Sequence, residues 1–284
     1  MIGAPTVESF LQVTERITVL GHSGALLAAY CFFLYRLRDI HLRRHRHQSV
    51  SARHLWFPVV LGGVLGGSYA VVFCATLWLS APAYFRWSYG IEAIMRGVSI
   101  LFFVVGGAAL SPRLALPFFP LTRRCLRGEW RKLRPSWRSV LIFVLMWAVC
   151  FMSTAWLVSA FDVRTGRALE DPVLQQLQRH AGLMLVFAVN AAVWEECTYR
   201  QFLFPFFAWA GSFVLKKHVA LVVSAALVTV LFAIAHSGTM EPIGAKLFQV
   251  ALLSLCTLVC QKKFGIEVTI LFHAWFNVSM VLLT

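Results

Sequence analysis

Acidic residues are scarce in this chain, with 12 Asp and Glu against 26 Lys and Arg in 284 residues and a formal net charge of +14. Charged residues of both signs make up only 13% of the total and hydrophobic residues 59%, whereas a soluble domain carries about 25% charged residues. That deficit excludes an ordinary soluble fold, and the long uncharged runs indicate a polytopic membrane protein. The short motifs of several proteolytic chemistries are also missing. There is no GxSxG and no HExxH. Asp39, Asp162 and Asp171 all fall between apolar runs, which excludes an intramembrane aspartate pair. No nucleic-acid-binding motif surrounds the arginines, and there is no internal repeat or low-complexity tract. The seven cysteines lack zinc-finger spacing. Six lie in apolar runs, where cysteine is a small buried hydrophobe, so neither a disulfide framework nor a cysteine-bound metal is expected. Residues 1–16 have no basic start before an apolar core, which argues against a signal peptide. Val7, Phe10, Leu11 and Val13 would instead give a short amphipathic helix at the membrane surface.

The sequence contains eight apolar runs, roughly Ile17–Leu37, Leu55–Ser80, Ile91–Leu110, Ser139–Phe161, Ala181–Ala208, Val219–Ala235, Leu247–Cys260 and Ile266–Leu283. About 20 apolar residues cross a bilayer as a helix, so the expected fold class is all-α, with about eight transmembrane helices. The second run carries Gly62, Gly63, Gly66 and Gly67, a spacing that lets a neighbouring helix approach closely. Glu92 and Arg96 read as a local ion pair near the membrane edge, with a role in the site as the lesser alternative. Pro112, Pro117 and Pro120 rule out one straight helix in the long basic connection before Arg138. Eighteen of the 26 Lys and Arg fall in four connections, Arg36–Arg53, Arg113–Arg138, Lys216–Lys217 and Lys262–Lys263. These alternate with the remaining connections, and the positive-inside rule then puts them in the cytoplasm and both termini outside it. The same basic residues are suited to anionic lipid head groups.

The fifth run holds Glu195, Glu196 and Arg200 in otherwise apolar surroundings. A charge near the bilayer centre costs at least about 2.5–3.5 kcal/mol, so such groups pair or line a polar cavity. Glu196 and Arg200 are four apart and can pair along the helix. Glu195 points about 100° away and needs a partner from another helix. Pro205 should kink this helix just past the motif. Two later runs offer partners for Glu195, with His236 closing the sixth and His273 and Asn277 sharing a face of the eighth. A cavity between helices five to eight would bring these groups together. A dehydrated carboxylate is a useful base near neutral pH and, with an imidazole, could deprotonate a water. A second imidazole and an amide could stabilise the oxyanion, a role worth about 3–4 kcal/mol per donor. Two histidines and a glutamate could also ligate zinc, and zinc is the minor alternative to a site without cofactor. Taken singly, each of these residues reads more simply as a packing partner or structural ion pair.

In order, EExxxR (Glu195, Glu196, Arg200), FxxxH (Phe232, His236) and HxxxN (His273, Asn277) on hydrophobic helices resemble the CAAX-protease and bacteriocin-processing family. This is the Abi-like group of glutamate intramembrane proteases that includes the CAAX prenyl endopeptidase. The resemblance covers about residues 181–284, while residues 1–180, with helices one to four, resemble nothing recognised. It implies that Glu195 and His236 activate the water, that His273 and Asn277 form the oxyanion hole, and that Glu196 and Arg200 shape the site. The resulting expectation is an intramembrane endopeptidase of a bacterial inner membrane. It would act on a protein or peptide with a C-terminal membrane-associated segment, with membrane lipid as its other partner. The alternatives are a non-enzymatic bacteriocin-immunity or binding protein of the same fold, a cytoplasm-facing CAAX-type peptidase and a proton-relaying transporter. The transporter is disfavoured by the absence of inverted repeats.

Overall fold

The computed structural model describes residues 18, 22–31, 33–35, 38, 52–161, 163–165 and 172–282. The expected surface helix of residues 7–13, most of the basic loop Arg36–Arg53, and Asp162, Glu170 and Asp171 lie outside these residues. The described chain is all-α apart from one two-residue ribbon. Its helices are α1 (His22–Tyr35), α2 (Ala52–Ser80), α3 (Trp87–Leu114), α4 (Pro120–Leu126), α5 (Trp137–Ala160), α6 (Pro172–Gln178) and α7 (Ala181–Glu196). A π-helical segment, Cys197–Leu203, leads into α8 (Phe204–Gly211), and α9 (Lys217–Ala235), α10 (Ile243–Phe264) and α11 (Ile266–Val281) follow. Among the described residues, six helical stretches are long and apolar enough to cross a membrane, and α1 and α11 are shorter apolar helices. The chain is an all-α polytopic membrane protein, as its composition requires.

The helix ends follow local chemistry. Ser136 caps α5 by accepting a hydrogen bond from the Ser139 amide at 3.2 Å. Pro120 opens α4, where its missing N–H costs nothing. Gly265 separates α10 from α11 at φ 96°, a conformation that suits glycine, with Pro120 packed against it. Glu267, in the first turn of α11, accepts the Thr122 amide at 2.9 Å and so ties that helix to α4. The third apolar run extends past its expected end, through Pro112 to Leu114. Beyond it the prolines break the chain as expected, leaving only α4 and a short 3-10 turn at Trp130–Leu133 before α5. The ribbon pairs Arg164 with Glu241 and Thr165 with Met240, joining the α5–α6 and α9–α10 connections.

Just ahead of Pro205 the helix departs from regular α geometry. The turns before the proline widen, so that the Phe204 amide reaches the Tyr199 carbonyl five residues back. The helix then resumes with Pro205 in the first turn of α8. π segments of this kind absorb a break in the hydrogen-bond ladder and re-aim the side chains they carry. Here all seven of its residues, including Tyr199, Arg200 and Gln201, are buried.

The glycines of the second run do pack as their spacing indicates. Gly66 of α2 meets Gly97 of α3 backbone to backbone, and a Cβ at Gly66 would run into the Gly97 carbonyl. Gly62 faces the Leu101 backbone, while Gly63 and Gly67 have nothing within 4 Å. Gly66→Leu should therefore force α2 and α3 apart and cost about 1–3 kcal/mol. Gly63→Leu should leave the thermal midpoint of the detergent-solubilised protein within error of wild type. Equal midpoints for the two variants would contradict this packing.

Candidate active site

Three helices converge on Glu195. Its Oε1 lies 3.5 Å from His236 Nε2 and its Oε2 lies 3.4 Å from His273 Nε2. His273 turns its Nδ1 to Glu196 Oε1 at 2.7 Å, and Glu196 Oε2 lies 3.4 Å from Arg200 Nε. The result is an alternating row, His236–Glu195–His273–Glu196–Arg200, that runs from α9 through α7 and α11 into the π segment. Helical spacing explains its form. Glu196 and Arg200 share a face and pair along their own helix. Glu195, rotated away, takes both of its partners from other helices, as a charge in an apolar interior must.

The row grades from dry to wet. Glu196 and Arg200 are both 0% exposed, His273 is 2% exposed, and Glu195 and His236 are 15% and 21% exposed. The buried end is also held by an aromatic ring. Phe232, fully buried, lies 4.1 Å from the Arg200 guanidinium and 4.5 Å from the His236 ring, and it meets His273 edge-on at 5.8 Å. A cation over a desolvated ring is worth about 2 kcal/mol or more. The phenylalanine of FxxxH is thus the packing centre of the site. His236 Nδ1 lies 2.8 Å from the Phe232 carbonyl. That oxygen can only accept, so Nδ1 is the donor and Nε2 is the nitrogen turned to Glu195.

The open end faces a cavity of about 710 Å³. Glu195 and His236 lie in its wall together with Trp194 and Tyr199. Most of the remaining wall comes from the first half of the chain. From α1 and the residues just before it come Thr18, His22 and Leu26, and from α3 come Glu92 and Arg96. A cavity enclosed by helices five to eight alone, as the sequence reading had it, leaves out these two walls. Arg96 pairs with Glu92, reaches the Tyr69 hydroxyl at 3.4 Å and lies 4.7 Å over the Trp194 ring. The pair expected at the membrane edge therefore sits beside the carboxylates. Tyr199 lies 3.2 Å from His22 Nε2 through its hydroxyl, and His22 packs on Trp194 with ring centroids 4.9 Å apart.

Asn277 stands apart from this group. Its amide donates to the Ala188 carbonyl at 3.2 Å, tying α11 to α7, and it does not line the cavity. Among the described residues no group of three or more His, Cys, Asp and Glu is arranged to hold a metal ion. The cysteines are all thiols, with Cys150 and Cys256 in contact at 3.5 Å between α5 and α10.

Sequence reasoning missed His22 and Tyr199. Tyr199 had a readable signal, since it follows Glu195 by four residues. A single histidine in the first apolar run carries no such signal. The buried ion pair also sets a test. Arg200→Met leaves Glu196 without its cation and should destabilise the protein by about 3–5 kcal/mol. Adding Glu196→Gln should restore part of that loss, because the orphaned charge is removed. Thermal unfolding of the single and double variants in detergent measures both effects, and a double variant less stable than Arg200→Met would contradict the pairing.

Residues 177–279 match a family model, the type II CAAX prenyl endopeptidase Rce1-like family. The match contains the whole charged row and Asn277, and it leaves α1 to α5 outside. No curated protein and no solved structure matches the chain. Through residues 177–279 the chain is related to the CAAX-protease family of membrane-embedded hydrolases.

Proposed function

We propose that the protein is an intramembrane endopeptidase in which Glu195 and His236 activate a water. One observation carries this reading. Two proton acceptors, a Glu195 oxygen and His236 Nε2, meet 3.5 Å apart at the wall of a cavity between the helices. The Nδ1 proton of His236 is committed to the Phe232 carbonyl, so the facing nitrogen is free to take a proton. A water placed between these acceptors gives its protons to them and turns its lone pairs to the cavity. That is the requirement for attack on a peptide carbonyl by general-base catalysis.

The remaining residues have supporting roles in this reading. His273, held by Glu196 and Arg200, keeps Glu195 oriented from its second oxygen and stabilises charge as the tetrahedral species forms. Asn277 would join His273 as an oxyanion donor, as the family resemblance implies, and its link to Ala188 fixes α11 against α7. Donors of this type are each worth about 3–4 kcal/mol. The reaction needs no cofactor.

The substrate is an exported or membrane-anchored protein cut near a C-terminal membrane-associated segment. The position of the cavity supports this. Apart from Trp194, Glu195 and Tyr199, its wall residues lie in the first halves of α1 and α3, just before α1 and around the end of α9, towards the helix ends opposite the Lys- and Arg-rich connections. With those connections in the cytoplasm, the cavity opens to the other side, and both termini lie there too. The basic residues of α4 and its surroundings then rest on lipid head groups, with Arg123 also lying over Phe57 and Phe118. We place the protein in a bacterial inner membrane.

The test is a comparison of protein termini in native membranes that carry wild-type protein or Glu195→Gln at equal abundance. New C-termini on non-cytoplasmic segments should appear with wild type only. Cytoplasmic C-termini would support the CAAX-type alternative and sink the orientation. Identical termini with an intact phenotype in the variant would leave an immunity or binding role for the same fold.

A further inference from the structure

The two side chains expected at the oxyanion are turned to other partners. His273 presents one nitrogen to Glu196 and the other to Glu195, and Asn277 donates to Ala188. Neither lines the cavity. Tyr199 does line it, on the same side of its helix as Glu195. Its ring is seated edge-on against Phe232 at 5.0 Å, the ring that also supports His236. Its hydroxyl meets His22 Nε2 at 3.2 Å. His22 is in turn fixed by packing on Trp194, the residue before Glu195. α1 is anchored through Ala25 and Ala29, which are buried in the same core as Phe103 and Phe202. Two helices distant in sequence thus place a hydroxyl and an imidazole beside the proposed base.

We infer that the Tyr199 hydroxyl is a further hydrogen-bond donor to the substrate carbonyl oxygen, in addition to His273 and Asn277, and that His22 is the positioning residue that turns it there. The inference rests on the hydrolytic reading above. With its proton on Nε2, His22 donates to the Tyr199 oxygen, and the Tyr199 O–H points into the cavity. As the water oxygen bonds to the carbonyl carbon, a proton of the water passes to Glu195 and the carbonyl electron pair moves onto its oxygen. Tyr199 stabilises that charge by donating a hydrogen bond and keeps its own proton. The oxyanion then re-forms the carbonyl, the C–N bond breaks, and the amine leaves with the proton that Glu195 took. On this reading α1, outside the stretch that matches the family, completes the active site.

The experiment follows Glu195-dependent cleavage in native membranes by pulse–chase, with variants of the full chain at matched abundance. Tyr199→Phe should slow cleavage about 10²–10³-fold, the usual loss for one oxyanion donor. His22→Phe keeps a ring but no donor and should give a loss of the same order. His22→Gln keeps an N–H and should lose less than about tenfold. The double variant Tyr199→Phe with His22→Phe should be no slower than Tyr199→Phe alone, because the pair acts as one unit. Wild-type rates in Tyr199→Phe, or multiplying losses in the double variant, overturn the inference and leave the hydrolytic reading standing. Cleavage that is absent in wild type, or unchanged in Glu195→Gln, overturns both.

Discussion

A charge inside a membrane must find a partner, and in this protein that constraint organises the helices. Glu196 and Arg200 have no access to water. Each carries a desolvation cost of several kcal/mol that only close pairing offsets. Their mutual contact along one helix leaves the second oxygen of Glu196 for His273. That bond fixes the depth and rotation of α11. Glu195 then has His273 on one side and needs a group on the other, and the end of α9 supplies His236. The positions of three helices follow from satisfying two carboxylates in a dry interior.

The rest of the fold holds that row in register. Phe232 packs against Arg200, His236, His273 and Tyr199, so one fully buried ring touches most of the site. The π segment carries the helix up to Pro205 with all of its side chains buried. Close α2–α3 packing at Gly66 and Gly97 places α3 so that Glu92 and Arg96 reach the cavity. Helices outside the family match therefore do more than span the membrane, because they form two walls of the cavity that Glu195 and His236 face.

Much of this was legible in the sequence, for physical reasons. The apolar runs fix the helices, since only an internally hydrogen-bonded backbone survives in lipid. The i, i+4 spacing of Glu196 and Arg200 gives their pair, and the isolation of Glu195 signals partners on other helices. The glycine spacing of α2 indicates a close neighbour and leaves open which one. What was not legible depends on how helices meet in space. Glu92 and Arg96 carry the same local signal whether they sit at a membrane edge or in a cavity wall, and only the path of α3 decides. His22 is one polar residue in an apolar run, without periodic support. Asn277 shares a face with His273, yet rotation of α11 directs its amide to a backbone carbonyl of α7. Pro205 signals a break in the hydrogen-bond ladder, but its local sequence does not say that the break is met by a π segment.

The central claim is that water attacks the peptide directly, guided by Glu195, with no covalent enzyme intermediate. The most direct measurement is cleavage by the purified, reconstituted protein in H2¹⁸O with hydroxylamine present. The account predicts that every new C-terminus is a free carboxylate carrying one ¹⁸O from solvent. Products ending in a hydroxamate would reveal an acyl-enzyme formed by a serine, threonine or cysteine nucleophile, and would contradict it.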